Sequence, residues 1–338
     1  MGAAADRIIY VGTMDGVFLA ERDNGGYKTR PLGLQGKGAV RSPILIDRED
    51  PRRLFAVTSK TGVFRSEDGG KTWVERNEGI ISKEGWSIAQ ARQTGAIYVG
   101  TGPVMVFKST DGGDTWEDCE HLKTLPETKD FDFPGPPHVA HVKSLAVHPD
   151  NPDVVFGAVE EGWLIRSRDG GKTWECVQDG TNFDSHSVAF IPGVPDVVLS
   201  TAGRGFYRSA DGGSHFEECV DGLEQRYLAQ VVVHPARPNV LFTAGASVPP
   251  PFWRRPEGAA SGLYRSENQG QRWERLTGGL PEHIKPAPRA TAGDPEDPDT
   301  FLVGLTDGTI WESNDGGESF ACVAEGLPQI GSLRVAHR

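Results

Sequence analysis

The sequence is short of several things at once. It carries 4 cysteines and 3 methionines in 338 residues, and no apolar run of the length a membrane-spanning helix needs. It is also short of positive charge: 35 Lys and Arg stand against 47 Asp and Glu, a net charge of -12. An acidic chain is repelled by nucleic-acid backbones and by anionic lipid surfaces, so neither is expected as a partner. Met1 to Asp6 hold no basic stretch followed by an apolar core. No secretory leader is therefore read there, and a cytoplasmic location is expected. Cys119, Cys176, Cys219 and Cys322 occupy equivalent places in separate repeats. Disulfides and thiolate metal sites need close approach, so these four are expected to be small packing residues.

Glycine and proline are what the chain has in quantity, 43 and 24 residues, which suits a turn-rich all-β protein. Many of them fall in one recurring stretch. Ser66-Glu67-Asp68-Gly69-Gly70-Lys71-Thr72-Trp73 returns from Ser109, Ser167, Ser209, Ser266 and Ser313. The spacings of the opening serines are 43, 58, 42, 57 and 47 residues, and a degenerate copy, Ala20 to Tyr27, lies 46 before the first. Each copy follows a strand-like run and precedes an aromatic and another short strand, which reads as a hairpin. Glycine supplies the positive φ of a tight turn, and the Asp accepts bonds from backbone N–H groups. A catalytic or calcium-binding carboxylate is needed once, whereas a folding element is needed in every unit. The Asp is therefore read as turn chemistry.

A second signature marks the same period. Asp47 to Pro51, His148 to Pro152, His234 to Pro238 and Asp294 to Pro298 are proline turns, each between two strands. One unit is then strand A, proline turn, strand B, loop, strand C, Asp turn, strand D. Four-stranded units of about 40–45 residues are the signature of a β-propeller. The chain opens on a strand B, Ile8 to Gly12, and its end, Ser332 to His337, reads like the strand A text Ser144 to Pro149. The expectation is an all-β, single seven-bladed propeller domain over 1–338. Blade 1 would be built from about 7–30 plus 331–337, closed by the last strand.

Ser-x-Asp-x-Gly-x-Thr-Trp resembles the Asp-box, or BNR repeat, of sialidase-like propellers. The proline turns and the tails Gly279-Leu280-Pro281 and Gly326-Leu327-Pro328 are similar to those of the sortilin and xyloglucanase branch and of photosystem II assembly factors. The resemblance implies a propeller whose Asp turns lie away from the active site. Sialidases bind a carboxylate with three arginines and use a tyrosine nucleophile. Arg41-Ser42-Pro43 is similar to their Arg-Ile-Pro motif, Arg204, Arg226 and Arg289 stand for the others, and Tyr227 for the nucleophile. The chain departs from them in having seven blades where they have six. It departs from xyloglucanases in having one propeller where they have two.

The register places the B–C and D–A loops on the face opposite the Asp turns. The large insertions, Asp118 to His141 and Ala246 to Ser261, fall on that face. Variable loops on a rigid scaffold carry function. At the strand A entrances stand Arg41, Trp86, Lys143, His186 and Arg289, with His138 and His141 just before one and Tyr227 near another. Lys60, Glu160, Glu161, Arg204 and Asp307 come from the B–C loops. His141, His186, Tyr227 and Glu160 are the candidate catalytic groups. Arg41, Trp86, Lys143, Arg204, Arg289 and Trp253 are candidate substrate contacts, with Trp253 in a proline-stiffened insertion. His138, His141 and His186 are candidate ligands for a divalent metal. The expected ligand is small, polar or anionic and carbohydrate-like, handled by a metal-assisted or metal-free hydrolase or lyase. The alternative is a non-enzymatic scaffold or assembly factor that binds a protein partner through the same face.

Overall fold

The computed structural model describes residues 7–338, so the leader reading at Met1 to Asp6 lies outside the described residues. Seven antiparallel sheets follow one another around a ring. The fourth blade shows the plan, with strands His141–Val147, Val155–Glu160, Leu164–Ser167 and Glu175–Val177. Only the sixth departs from it: its strand A is broken into Tyr227–Leu228 and Val232–Val233. Strands B such as Leu54–Thr58, Ile97–Thr101 and Phe301–Leu305 are buried along their whole length. Neighbouring blades cover both faces of the second strand, which is why these segments read as continuous apolar runs. The core lies between blades. Phe242 of blade 6 stacks on Phe301 of blade 7, their centroids 4.7 Å apart.

The ring closes as the sequence implies. Ile330–His337 pairs antiparallel with Arg7–Thr13, aligning Val11 with Leu333 and Ile8 with Ala336. Blade 1 is thus Ile330–His337 with Arg7–Thr13, Gly16–Asp23 and Gly26–Gly33. A buried ionic cluster locks the seam. Fully buried Arg7 bonds Asp294, Asp297 and Glu312 of blade 7, and His337 Nε2 lies 2.7 Å from Asp294. Closure removes the free sheet edges that would invite aggregation.

Each serine–aspartate turn is self-contained. Asp68 Oδ1 accepts from Ser66 Oγ at 2.8 Å and from Thr72 N at 2.9 Å, while Gly70 N donates to Ser66 Oγ at 2.8 Å. The Thr72 backbone N–H, then the Thr72 and Ser66 hydroxyls, hold the Asp68 carboxyl down at about 2. The same bonds recur at Asp111, Asp169 and Asp315. The turns also staple blades together: Arg65 Nη1 donates to Gly112 O, Arg166 Nη1 to Gly212 O and Arg265 Nη1 to Gly316 O. The turn aromatic does likewise, since Trp116 Nε1 donates to Arg76 O of the preceding blade. The proline turns are capped the same way. His148 Nδ1 accepts from Asp150 N and Asn151 N, as Asp47 Oδ1 does from Glu49 N and Asp50 N. All four cysteines are free. Cys119 is buried, but Cys322 is exposed because it sits on an outermost strand D, so it is not a packing residue.

Candidate functional site at the channel mouth

All seven blades send the entrance of strand A to one cavity of about 450 Å³ on the ring axis. Arg41, Trp86, His141, His186, Tyr227 and Arg289 come from blades 2 to 7 in that order, and Gly331 from blade 1. Glu160, at the end of a strand B, enters because His141 and Glu160 are cross-strand partners. The irregular insertion carries Phe133, Pro136 and Pro137 to the rim on one side. The second insertion carries Pro250 and Trp253 on the other. A smaller, more apolar cavity between blades 6 and 7, lined by Leu263, Ile284, Val303 and Trp311, holds no comparable polar cluster.

The centre of the site is Glu160. Its Oε2 lies 2.7 Å from His141 Nε2 and its Oε1 lies 2.7 Å from Lys143 Nζ. The Tyr227 hydroxyl donates to Oε1 at 3.4 Å. Burial pushes the Glu160 carboxyl up, but the Lys143 ammonium, the His141 bond and His186 outweigh it and hold the group well below the usual range. Tyr227 moves the other way: burial first, then the charges of Glu160 and Asp184, push its phenol up, so it keeps its proton. His186 Nδ1 is 2.7 Å from Leu228 O and its Nε2 is 3.1 Å from Asp184 Oδ1. Both partners are acceptors, so the ring satisfies both only when it donates from both nitrogens. Glu161, half-buried beside Asp184 and Glu160, is raised to about 7, by burial first and then by those charges.

The arginines differ from everything around them. Arg41 stacks over Trp86 at 4.2 Å and Arg289 over Trp253 at 4.5 Å. Neither makes a hydrogen bond or ion pair among the described residues, and Arg289 Nε is buried without a partner. Burial, and for Arg41 the like charge of Arg289, pull both guanidiniums below their ordinary value. Trp86 is engaged on its ring by Arg41 and also by His141, whose centroid is 3.5 Å away in a stacked arrangement. It therefore positions two polar groups and does not offer a free face to a sugar.

Nine of the expected residues line the cavity: Arg41, Trp86, His141, Lys143, Glu160, His186, Tyr227, Trp253 and Arg289. Two do not. Arg204 is exposed outside the lining, in the two-residue turn between strands Val194–Ala202 and Gly205–Ser209. His138 is exposed, sits at φ 64 and spends its Nδ1 on Phe133 O at 3.0 Å. The set His138, His141 and His186 is consequently not assembled. The residues that do converge are Glu160, Asp184 and His186, with ligand atoms within 4.8 Å of one another. Lys143 Nζ, at 2.7 Å from Glu160, already supplies the positive charge there, so this group does not fit a divalent cation. Lys60, Glu161, Arg226 and Asp307 are also absent from the lining.

Two residues were missed. Glu84 accepts from Trp86 Nε1 at 3.1 Å, and Asp184 pairs with His186 at the same distance. Both stand two positions before the strand A entrance residue. Glu84-x-Trp86 and Asp184-x-His186 are one register device that aligned strands would have revealed.

No family model matches the sequence. A curated protein, the oligoxyloglucan-reducing end-specific xyloglucanase of Emericella nidulans, is 33% identical over 105 residues, 25% of this chain and 13% of that protein. Among solved structures, the Niastella koreensis GH74 enzyme matches with TM-score 0.66 at 18% identity, over 93% of this chain and 46% of that one. A structure of YCF48 bound to D1 peptide matches with TM-score 0.54 at 16% identity, over 84% and 82%. The chain thus spans less than half the length of the xyloglucanase and of the GH74 enzyme. At these identities the structural likenesses establish the seven-bladed propeller fold.

Proposed function

We propose that this protein is an enzyme that binds a small, anionic, carbohydrate-like substrate at the channel mouth and cleaves it by elimination. One observation carries the reading: two largely buried guanidiniums, Arg41 and Arg289, share the cavity without a carboxylate partner. Unpaired buried charges are costly, and a substrate carboxylate bridging them recovers that cost. The xyloglucanase and GH74 likenesses support a carbohydrate-like substrate.

The remaining groups suit proton transfer. Glu160 holds His141 through Nε2–H, which leaves Nδ1 as the basic nitrogen, with only a long 3.4 Å approach to Val139 O. His141 takes the proton from the carbon next to the substrate carboxylate. The electron pair forms a double bond to the neighbouring carbon, and the bond from that carbon to the leaving oxygen breaks. Tyr227 gives its proton to that oxygen, and no water enters. Arg41 and Arg289 stabilise the charge that builds on the carboxylate. Hydrolysis by paired carboxyls needs one that is protonated. Glu160, the carboxyl at the centre of the site, stays ionised, which favours elimination.

The test is incubation with oligouronides and with neutral oligosaccharides. The expected result is an unsaturated, ultraviolet-absorbing product from the uronides alone, reduced at least about 100-fold in Tyr227→Phe. Reducing ends without that absorbance would replace elimination by hydrolysis. The YCF48 likeness and the half-exposed Phe252 at the rim support a second reading, a peptide-binding face. No turnover, with binding of an acidic peptide that Arg289→Gln abolishes, would establish that reading instead.

A further inference from the structure

Directly below the channel-mouth site lies a second cavity of about 250 Å³, sharing Lys143 and Gln230 with the first. Its wall is mixed, with aliphatic residues of blades 2 to 6 beside Ser42, Ser87, Ser144 and Ser187. Two cations line it: Lys143, already paired with Glu160, and Arg334, from the strand that closes the ring. Arg334 is exposed in the cavity, and it makes no hydrogen bond or ion pair among the described residues. No carboxylate lines this cavity. The charged neighbour that Arg334 feels is Arg92, of like sign, which together with burial pulls its guanidinium below the ordinary value.

The other polar groups in the cavity point to the same ligand. Ser42 Oγ accepts from Ile88 N at 3.2 Å, and Ser144 Oγ accepts from Val188 N at 3.4 Å. Each hydroxyl has used its acceptor side, and its proton has no acceptor among the described residues. The Gln230 side chain likewise makes no bond there; only its backbone carbonyl is used. The cavity therefore presents a guanidinium, two hydroxyl protons and an amide, with no fixed negative charge. A cation would meet repulsion in it. We propose that the central channel holds a small inorganic anion, of the class of chloride or phosphate, bound by Arg334 with Ser42 and Ser144. The site is separate from the substrate pocket and does not depend on the function proposed for it. It gives the closing strand a stabilising counter-ion at the axis of the ring.

Two measurements test it. Crystals of the full chain soaked in bromide should show an anomalous peak beside the Arg334 guanidinium, and Arg334→Leu crystals should lack it. Thermal unfolding should be followed while chloride or phosphate is titrated at constant ionic strength. Wild type and Arg289→Gln should both gain a rise that grows with the logarithm of anion concentration above Kd, about 4 °C at a hundredfold excess. Arg334→Leu should show none. A response to chloride alone identifies a halide site, and a response to phosphate alone an oxyanion site. An Arg334→Leu protein that responds as wild type does, or wild type with neither a bromide peak nor a thermal response to phosphate, would overturn the proposal. The bromide and phosphate results on wild type decide the matter even if the variant fails to fold.

Discussion

The two faces of the propeller are made from the same strands and treat charge in opposite ways. On the face of the Asp turns, the recurring arginines Arg65, Arg166 and Arg265 each donate to a carbonyl of the next blade and pair with carboxylates. Arg166 is typical: it donates to Gly212 O and Gly213 O and to Glu175. On the face of the insertions, Arg289 is partly exposed to the cavity and has no partner among the described residues. Full local satisfaction marks a group retained for folding. A cavity-facing charge without a partner marks one retained for something outside the chain.

The seam of blade 1 tests the folding side of this contrast most severely. Truncation after Gly331 removes buried Leu333 and Val335 and unpairs Arg7–Thr13. A loss of about 5 kcal/mol or more in denaturant unfolding is expected. Unchanged unfolding would mean that the closing strand is dispensable. A smaller effect separates the two arginines. Arg166→Gln should cost about 2 kcal/mol, because it leaves buried carbonyls unbonded. Arg289→Gln should be neutral or stabilising, since it removes an uncompensated charge, and should weaken binding of an anionic ligand about 10- to 100-fold. Equal destabilisation by both would erase the distinction between the faces.

The smallest effect is in pH. Asp68 is held near 2 against an ordinary 3.8, so its contribution is present above 3.8 and is lost as pH falls through about 2. Glu161 is raised to about 7 from 4.5, so it binds its proton more tightly folded than unfolded. Stability linked to Glu161 is full below 4.5 and is lost as pH rises through about 7. In Tm measured against pH, Glu161→Gln should flatten the decline between those values and leave the acid limb unchanged. Asp68→Asn should do the reverse.

Much of the architecture was readable because turn chemistry is local. Ser66, Asp68, Gly70 and Thr72 interact within seven residues of one another, so each copy announces itself in the text. Most of the candidate site was readable for a derived reason. Once the blades are in register, residues at the entrances of strand A must converge on the axis, as Arg41, His186 and Arg289 do. The register failed where the chain is irregular. His138 lies in a loop whose path no period constrains, and its side chain turns to Phe133. Glu84 and Asp184 escaped because each acts through the residue it holds.

Blade number, closure and the face that carries the axial cavity were therefore determined by the sequence itself, through contacts of short range repeated around a ring. The pairing of charges was decided only by the tertiary structure. Lys143 is taken up by Glu160 and Arg7 by Asp294, 287 residues away, while Arg41, Arg289 and Arg334 are left over. Coulombic and hydrogen-bond partners are chosen by distances of a few ångströms between different strands and blades. No spacing along a chain encodes those distances.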